Sequence, residues 1–145
     1  MAKNSKSIRF LLRKITTDQF AILGECPDLK QNIDISTDIK FAYNLDDRGI
    51  GVYTNFKFIT QEKPFLILEA GCHFQIELED WRSLLKEDDS IELPKNFAHH
   101  LLMITVGTAR GILHQKTTDT DYNKFFIPLM NVTEIVDSDI TLHKE

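Results

Sequence analysis

Residues 93–136 read LPKNFAHHLLMITVGTARGILHQKTTDTDYNKFFIPLMNVTEIV, and the fold is decided here. Pro94 has no N–H to lose and a φ already suited to a first turn, so it predicts the start of a helix of about twenty residues. A polar hairpin of Lys, Thr, Asp and Asn follows, then the apolar run Phe125-Phe126-Ile127. Pro128 keeps the approach to Asn131 extended. Asn131-Val-Thr-Glu134 has capping-box spacing: the asparagine side chain accepts from the first free N–H groups and the glutamate reaches back. A second, shorter helix is expected there, with Val132, Ile135 and Val136 as its apolar face.

The long helix carries more apolar surface than one sheet can cover. His100, Met103, Gly107, Arg110 and His114 fall on one stripe. The remaining arc holds Phe97, Ala98, Leu101, Leu102, Ile104, Val106, Ala109, Ile112 and Leu113. It is wider than the stripe of about 100° found on a helix that covers a single surface. One side is expected to lie on a sheet and the excess to meet a second copy of the chain, through Leu101, Leu102, Val106, Gly107, Ala109 and Arg110. Gly107 and Gly111 are four residues apart and permit close approach, each at about 1 kcal/mol of helix propensity relative to Ala.

Upstream the pattern has a period of two. Ile8 to Leu23 reads as a first strand whose phase breaks near Lys14, which predicts a bulge or kink. The turn-rich stretch from Gly24 to Gln31, with Leu29 as its one strongly apolar side chain, reads as a crossover loop rather than a tight hairpin. Ile33, Ile35, Ile39, Phe41 and Tyr43 mark one face of a second strand. Asp46-Asp47-Arg48-Gly49 makes a turn, with Gly49 the residue suited to positive φ. Val52, Phe56 and Phe58 mark a third strand, and Leu66, Leu68, Ala70, Cys72, Phe74, Ile76 and Leu78 a fourth. Phe65 and Ile67 make the start of that fourth strand apolar on its opposite face too, so a covering segment or a bound partner is expected there. A short helix is expected within Glu79–Lys86. The class is α+β: a four-stranded antiparallel sheet with a crossover after the first strand, then a long and a short C-terminal helix packed on one face. The chain reads as one domain, residues 1–145, with flexible ends at about 1–7 and 137–145.

The net charge of −5 argues against nucleic acid as a partner, which would require clustered Lys and Arg. No apolar run approaches the ~20 residues of a membrane span, so no membrane insertion is expected. No signal peptide is read at the N-terminus, and a cytoplasmic location is expected. Two widely spaced cysteines, Cys26 and Cys72, read as reduced thiols. The basic residues near the N-terminus and the acidic stretch over residues 77–92 read as solvated faces or as faces that meet. His99 and His100 project about 100° apart on a helix and cannot share a ligand direction. With no HExxH, CxxC, GxSxG or P-loop spacing, no metal, no cofactor and no enzymatic activity are expected.

At this point the chain resembles the SecB-like chaperones. Their long helix carries Ile-Thr, four residues, then Arg-Gly, here Ile104-Thr105 and Arg110-Gly111. Their apolar return through a proline to an asparagine is matched by Phe125-Phe-Ile-Pro128 and Asn131, and Phe65-Leu66, Phe74 and Ile33-Asp34-Ile35 match upstream. The resemblance implies a homotetramer, built as a dimer of dimers whose long helices meet. It also implies ATP-independent holding of unfolded polypeptides in apolar grooves. By position, the groove would include Leu29, Ile33, Ile35, Val132, Ile135 and Val136, and the two-faced start of the fourth strand adds Phe65 and Ile67. Export SecB uses acidic side chains to engage its translocase motor; the matching positions here hold Gln19, Leu23 and Ile67. This departure argues for one dedicated client, such as an antitoxin, over general preprotein export. Two alternatives stay open: an oligomeric scaffold of the same fold without chaperone activity, or a small α+β enzyme or ligand-binding protein using His99, His100 or His73.

Overall fold

The computed structural model describes residues 7–144, so the expected flexible N-terminal end lies, but for Ser7, outside the described residues. Four long strands come first: β1 (Phe10–Ile22), β2 (Asp34–Asn44), β3 (Gly49–Thr60) and β4 (Lys63–Ile76). They form one antiparallel sheet in the order β1-β4-β3-β2. The segment after β1 therefore carries the chain from one edge of the sheet to the other, as the crossover reading expected. The phase break in β1 is real: register shifts fall between Leu12 and Lys14 and between Thr17 and Gln19.

Two hairpins join the remaining strands. In the first, Arg48 rather than Gly49 takes the positive φ, 54°. Its guanidinium Nε donates to the carbonyl of Ile76 at 3.0 Å, which fastens the turn to the end of β4. A Cβ at Gly49 would lie 2.6 Å from Asp47 Oδ1, the end of an exposed side chain that can turn aside. In the second, Gln61 and Glu62 both have positive φ, 50° and 64°, the backbone of a two-residue loop matched to strand twist.

Alternation settles which face is inside. Ile50, Val52, Phe56 and Phe58 of β3 and the even residues of β4 from Leu66 to Ile76 are fully buried. Each large side chain so buried contributes about 1.5–3 kcal/mol of transfer free energy. Over this face lies α2 (Lys95–Lys116), packed on β4 and β3, the two central strands. Pro94 stands just before its first residue, and Asp139 Oδ1 accepts the Lys95 N–H at 2.8 Å, capping the helix from a distant part of the chain.

The other elements are short. α1 (Leu78–Leu84) follows β4, and β5 (Ile91–Leu93) precedes α2. A 3-10 turn (Asp121–Lys124) follows α2, and α3 (Val132–Ile135) is a single turn. Asn131 Oδ1 accepts from Thr133 N at 3.1 Å, so the asparagine half of the expected capping box forms. Beyond Val136 the chain forms β6 (Ile140–Leu142), antiparallel to β5. Among the described residues, the acidic and basic stretches meet at Arg9, whose Nε lies 3.0 Å from both Glu77 Oε2 and Asp80 Oδ2.

Candidate functional site

One helix cannot cover four strands. Because α2 sits on β3 and β4, the inner faces of both edge strands are left partly open. On β2 these are Ile35, Thr37, Ile39, Phe41 and Tyr43, every one half-buried. Directly across from them runs the return segment of the chain, from Phe125 through α3 to β6. Between the two lies a cleft of about 420 Å³. Thr37, Ile39 and Phe41 form its floor, Met130, Ile135, Val136 and Ile140 its far wall, and Asp38, Asp137 and Ser138 its rim. A volume of this order admits apolar side chains of a ligand. A second cleft of about 450 Å³, lined among others by Arg13, Tyr43, Tyr53, His73, Gln75 and two glycines, lies away from the return segment.

The expected groove residues divide into three groups. Ile135, 38% exposed, and Val136 line the cleft; Ile35 continues the β2 floor on the same face, and Ile33 stands half-buried just before that strand. Leu29 is 61% exposed in the crossover and lines none of the cleft. Phe65, Ile67 and Val132 are buried within the chain. Phe65 owes its burial to a register shift in β3–β4, where Phe58 pairs with Leu66 but Ile59 with Pro64, leaving Phe65 without a partner. It turns into a cluster with Phe58, Tyr122 and Phe125, at centroid separations of 6.3, 6.3 and 5.0 Å. The cover expected over this residue is therefore the chain's own return segment. Ile67 lies on the other face of the sheet, in register with Ala21 and Lys57.

The same cluster fixes the crossover. Tyr122 donates its hydroxyl to the carbonyl of Gly24 at 2.7 Å, and burial pushes this phenol above its ordinary pKa, keeping it a donor through neutral pH. Cys26 Sγ reaches the carbonyl of Asp121 at 3.4 Å, and both cysteines are free.

The opposite edge differs. Leu12 and Ile15 of β1 are 44% and 49% exposed, and the nearby stripe of α2 presents His100, Met103, Gly107 and Gly111 to solvent. Leu101, Leu102, Val106 and Ala109, expected at a subunit interface, are buried in the chain's own core, while Gly107 is exposed and Arg110 half-buried. The wide apolar arc is consumed by the sheet on one side and by the return segment on the other. Arg110 takes part in that closure: Nε donates to Ile127 O and Nη2 to Pro128 O, each at 2.8 Å.

The histidines diverge. His99 is buried with Nε2 on the carbonyl of Val136, whereas His100 packs edge-on against Phe10 at 5.4 Å. His73 lies against Tyr53 on the other face of the sheet. Among the described residues, no group of three or more His, Cys, Asp or Glu side chains could hold a metal ion. No helix among them is long and apolar enough to cross a membrane.

Sequence reasoning missed Met130 and Ile140 as parts of the cleft. Ile140 was legible as an apolar residue between Asp139 and Thr141, but only its pairing with Leu93 brings it to the wall. Ile39 and Phe41 carried the signal in the alternation of β2.

No family model and no curated protein sequence matches the chain. Among solved structures it is similar to the Mycobacterium tuberculosis SecB-like chaperone Rv1957, in complex with a ChAD peptide from the Rv1956 HigA1 antitoxin. The TM-score is 0.54 at 12% identity, over 84% of this chain and 91% of that one. The four-stranded sheet with its crossover, followed by a long and a short helix, is thus a SecB-like fold.

Proposed function

We propose that this SecB-like chain is an ATP-independent holdase that receives unfolded segments in the cleft between β2 and the return segment. The single observation that carries this reading is the cleft itself, an apolar floor and an apolar wall left apart because α2 covers two strands of four. Binding would rest on desolvation of client side chains, at about 25 cal/mol per Å² of apolar surface. Main-chain pairing of an extended segment to exposed strand edges would add directionality. The similar chaperone was solved with an antitoxin peptide, and the uncharged Gln19, Leu23 and Ile67 favour a dedicated client over delivery to a translocase motor.

The same proposal includes a homo-oligomer, dimer or tetramer. Its support is the open inner face of β1 beside the exposed stripe of α2, with Leu12, Ile15, Met103 and Gly107 as the surface residues. Leu29, exposed in the crossover, extends the client surface beyond the cleft.

The experiment is suppression of aggregation of a chemically unfolded client, without ATP, at equimolar subunits. The native chain should keep the client soluble. Ile135→Asp should abolish that effect while leaving the native mass unchanged. Full holding by Ile135→Asp would instead place the client outside this cleft, and no holding by the native chain would favour a scaffold of the same fold without chaperone activity.

A further inference from the structure

The far wall of the cleft is a thin structure. Between Pro128 and Asp139 the chain forms one helical turn and otherwise runs extended or in bends. It is clamped to α2 at both ends. Near the C-terminal part of the helix, Arg110 holds the carbonyls of Ile127 and Pro128, both at 2.8 Å. At the first residue of the helix, the Lys95 N–H is held by Asp139 Oδ1 at 2.8 Å. Between these clamps, among the described residues, the side-chain hydrogen bond from α2 to the wall is the one from His99 Nε2 to the carbonyl of Val136.

We propose that His99 is a positioning residue that latches the middle of the wall to α2 and so sets the width of the cleft. The proposal rests on the holdase reading above and deepens it. His99 and Val136 are both buried, so water cannot replace the bond without opening the wall. A carbonyl only accepts, so Nε2 carries the proton. The Val136 N–H returns to Val132 O at 2.9 Å and closes the turn, so a shift of Val136 moves Ile135 with it. The residue does not touch the client. It holds the backbone of the two residues that do.

The test uses the full chain with His99→Leu, which keeps bulk and removes the donor, and His99→Gln, whose amide can donate from a similar place. The probe is a fluorescently labelled, reduced and alkylated polypeptide that stays unfolded without denaturant. His99→Leu should raise the dissociation rate of this probe about tenfold at unchanged native mass, and His99→Gln should restore it to within about twofold. Amide exchange should speed up at residues 130–137 in His99→Leu and stay unchanged in β3 and β4. An unchanged dissociation rate in His99→Leu, or a His99→Gln chain as impaired as His99→Leu, overturns the latch. Should His99→Leu fail to fold, the imidazole ¹⁵N spectrum of the native chain decides. A proton on Nε2 in slow exchange supports the latch, and the Nδ1–H tautomer overturns it. With Ile135→Asp in parallel, the two readings separate. Retained binding in that variant overturns both, whereas lost binding there with an unaltered rate in His99→Leu overturns the latch alone.

Discussion

The two edges of the sheet are built alike and finished differently. Both β1 and β2 present apolar side chains on the inner face, and α2, which lies mainly on β3 and β4, leaves much of each uncovered. Beside β2 the C-terminal return of the chain stands as a second wall, and the apolar residues there are half-buried. Among the described residues no comparable wall stands beside β1, and Leu12 and Ile15 are exposed. The difference follows from where the chain goes after α2. Its return is drawn to the β2 side by Phe125 on Phe58 and Phe65, and by Arg110 on Ile127 and Pro128. In the proposal above, the walled cleft takes an extended client segment, and the open strip beside small helix residues takes another copy.

That contrast can be broken from either side. The largest effect is expected from Phe65→Ala, which empties the centre of the aromatic cluster beneath the return segment. A loss of about 3–5 kcal/mol of stability is expected in chemical denaturation. A loss below about 1 kcal/mol would mean that the cluster does not support the wall. Next comes Ile135→Asp, which places a charge on the cleft wall. Client affinity should fall on the order of 100-fold, about 2.7 kcal/mol, in a binding titration at constant native mass.

Ile15→Asp addresses the other edge. It should lower the native mass in light scattering and leave the intrinsic affinity of each cleft within about threefold. An unchanged mass would remove β1 from the proposed interface. The smallest effect belongs to Asp139→Ala, which deletes the cap on Lys95 and with it about 1 kcal/mol, while Asp139→Asn should retain most of that. Melting curves of the two variants measure it.

Much of this frame is legible in the residues. Alternation in β2, β3 and β4 gives the strands and their inner faces, and the break at Lys14 gives the irregularity of β1. Pro94 and Asn131 give both C-terminal helix starts to within a residue. Periodicity says that a side chain prefers cover, and it does not say what provides the cover. Leu101, Leu102, Val106 and Ala109 were assigned to a neighbouring subunit on this signal, yet the chain's own sheet and return segment bury them. Phe65 was placed on an outer face because a strand without a bulge would put it there; the register shift at Ile59 turns it inward. The wall of the cleft depends on long-range contacts, such as Asp139 with Lys95 and Ile140 with Leu93, which leave no local pattern.

The central claim is that clients enter beside β2 and not beside β1. A photo-reactive amino acid placed at Ile135, and in a second chain at Ile15, tests it on the assembled protein with an unfolded, labelled polypeptide. The account predicts a client adduct from position 135, and from position 15 an adduct between two copies of the chain. A client adduct from position 15 with none from position 135 would contradict it.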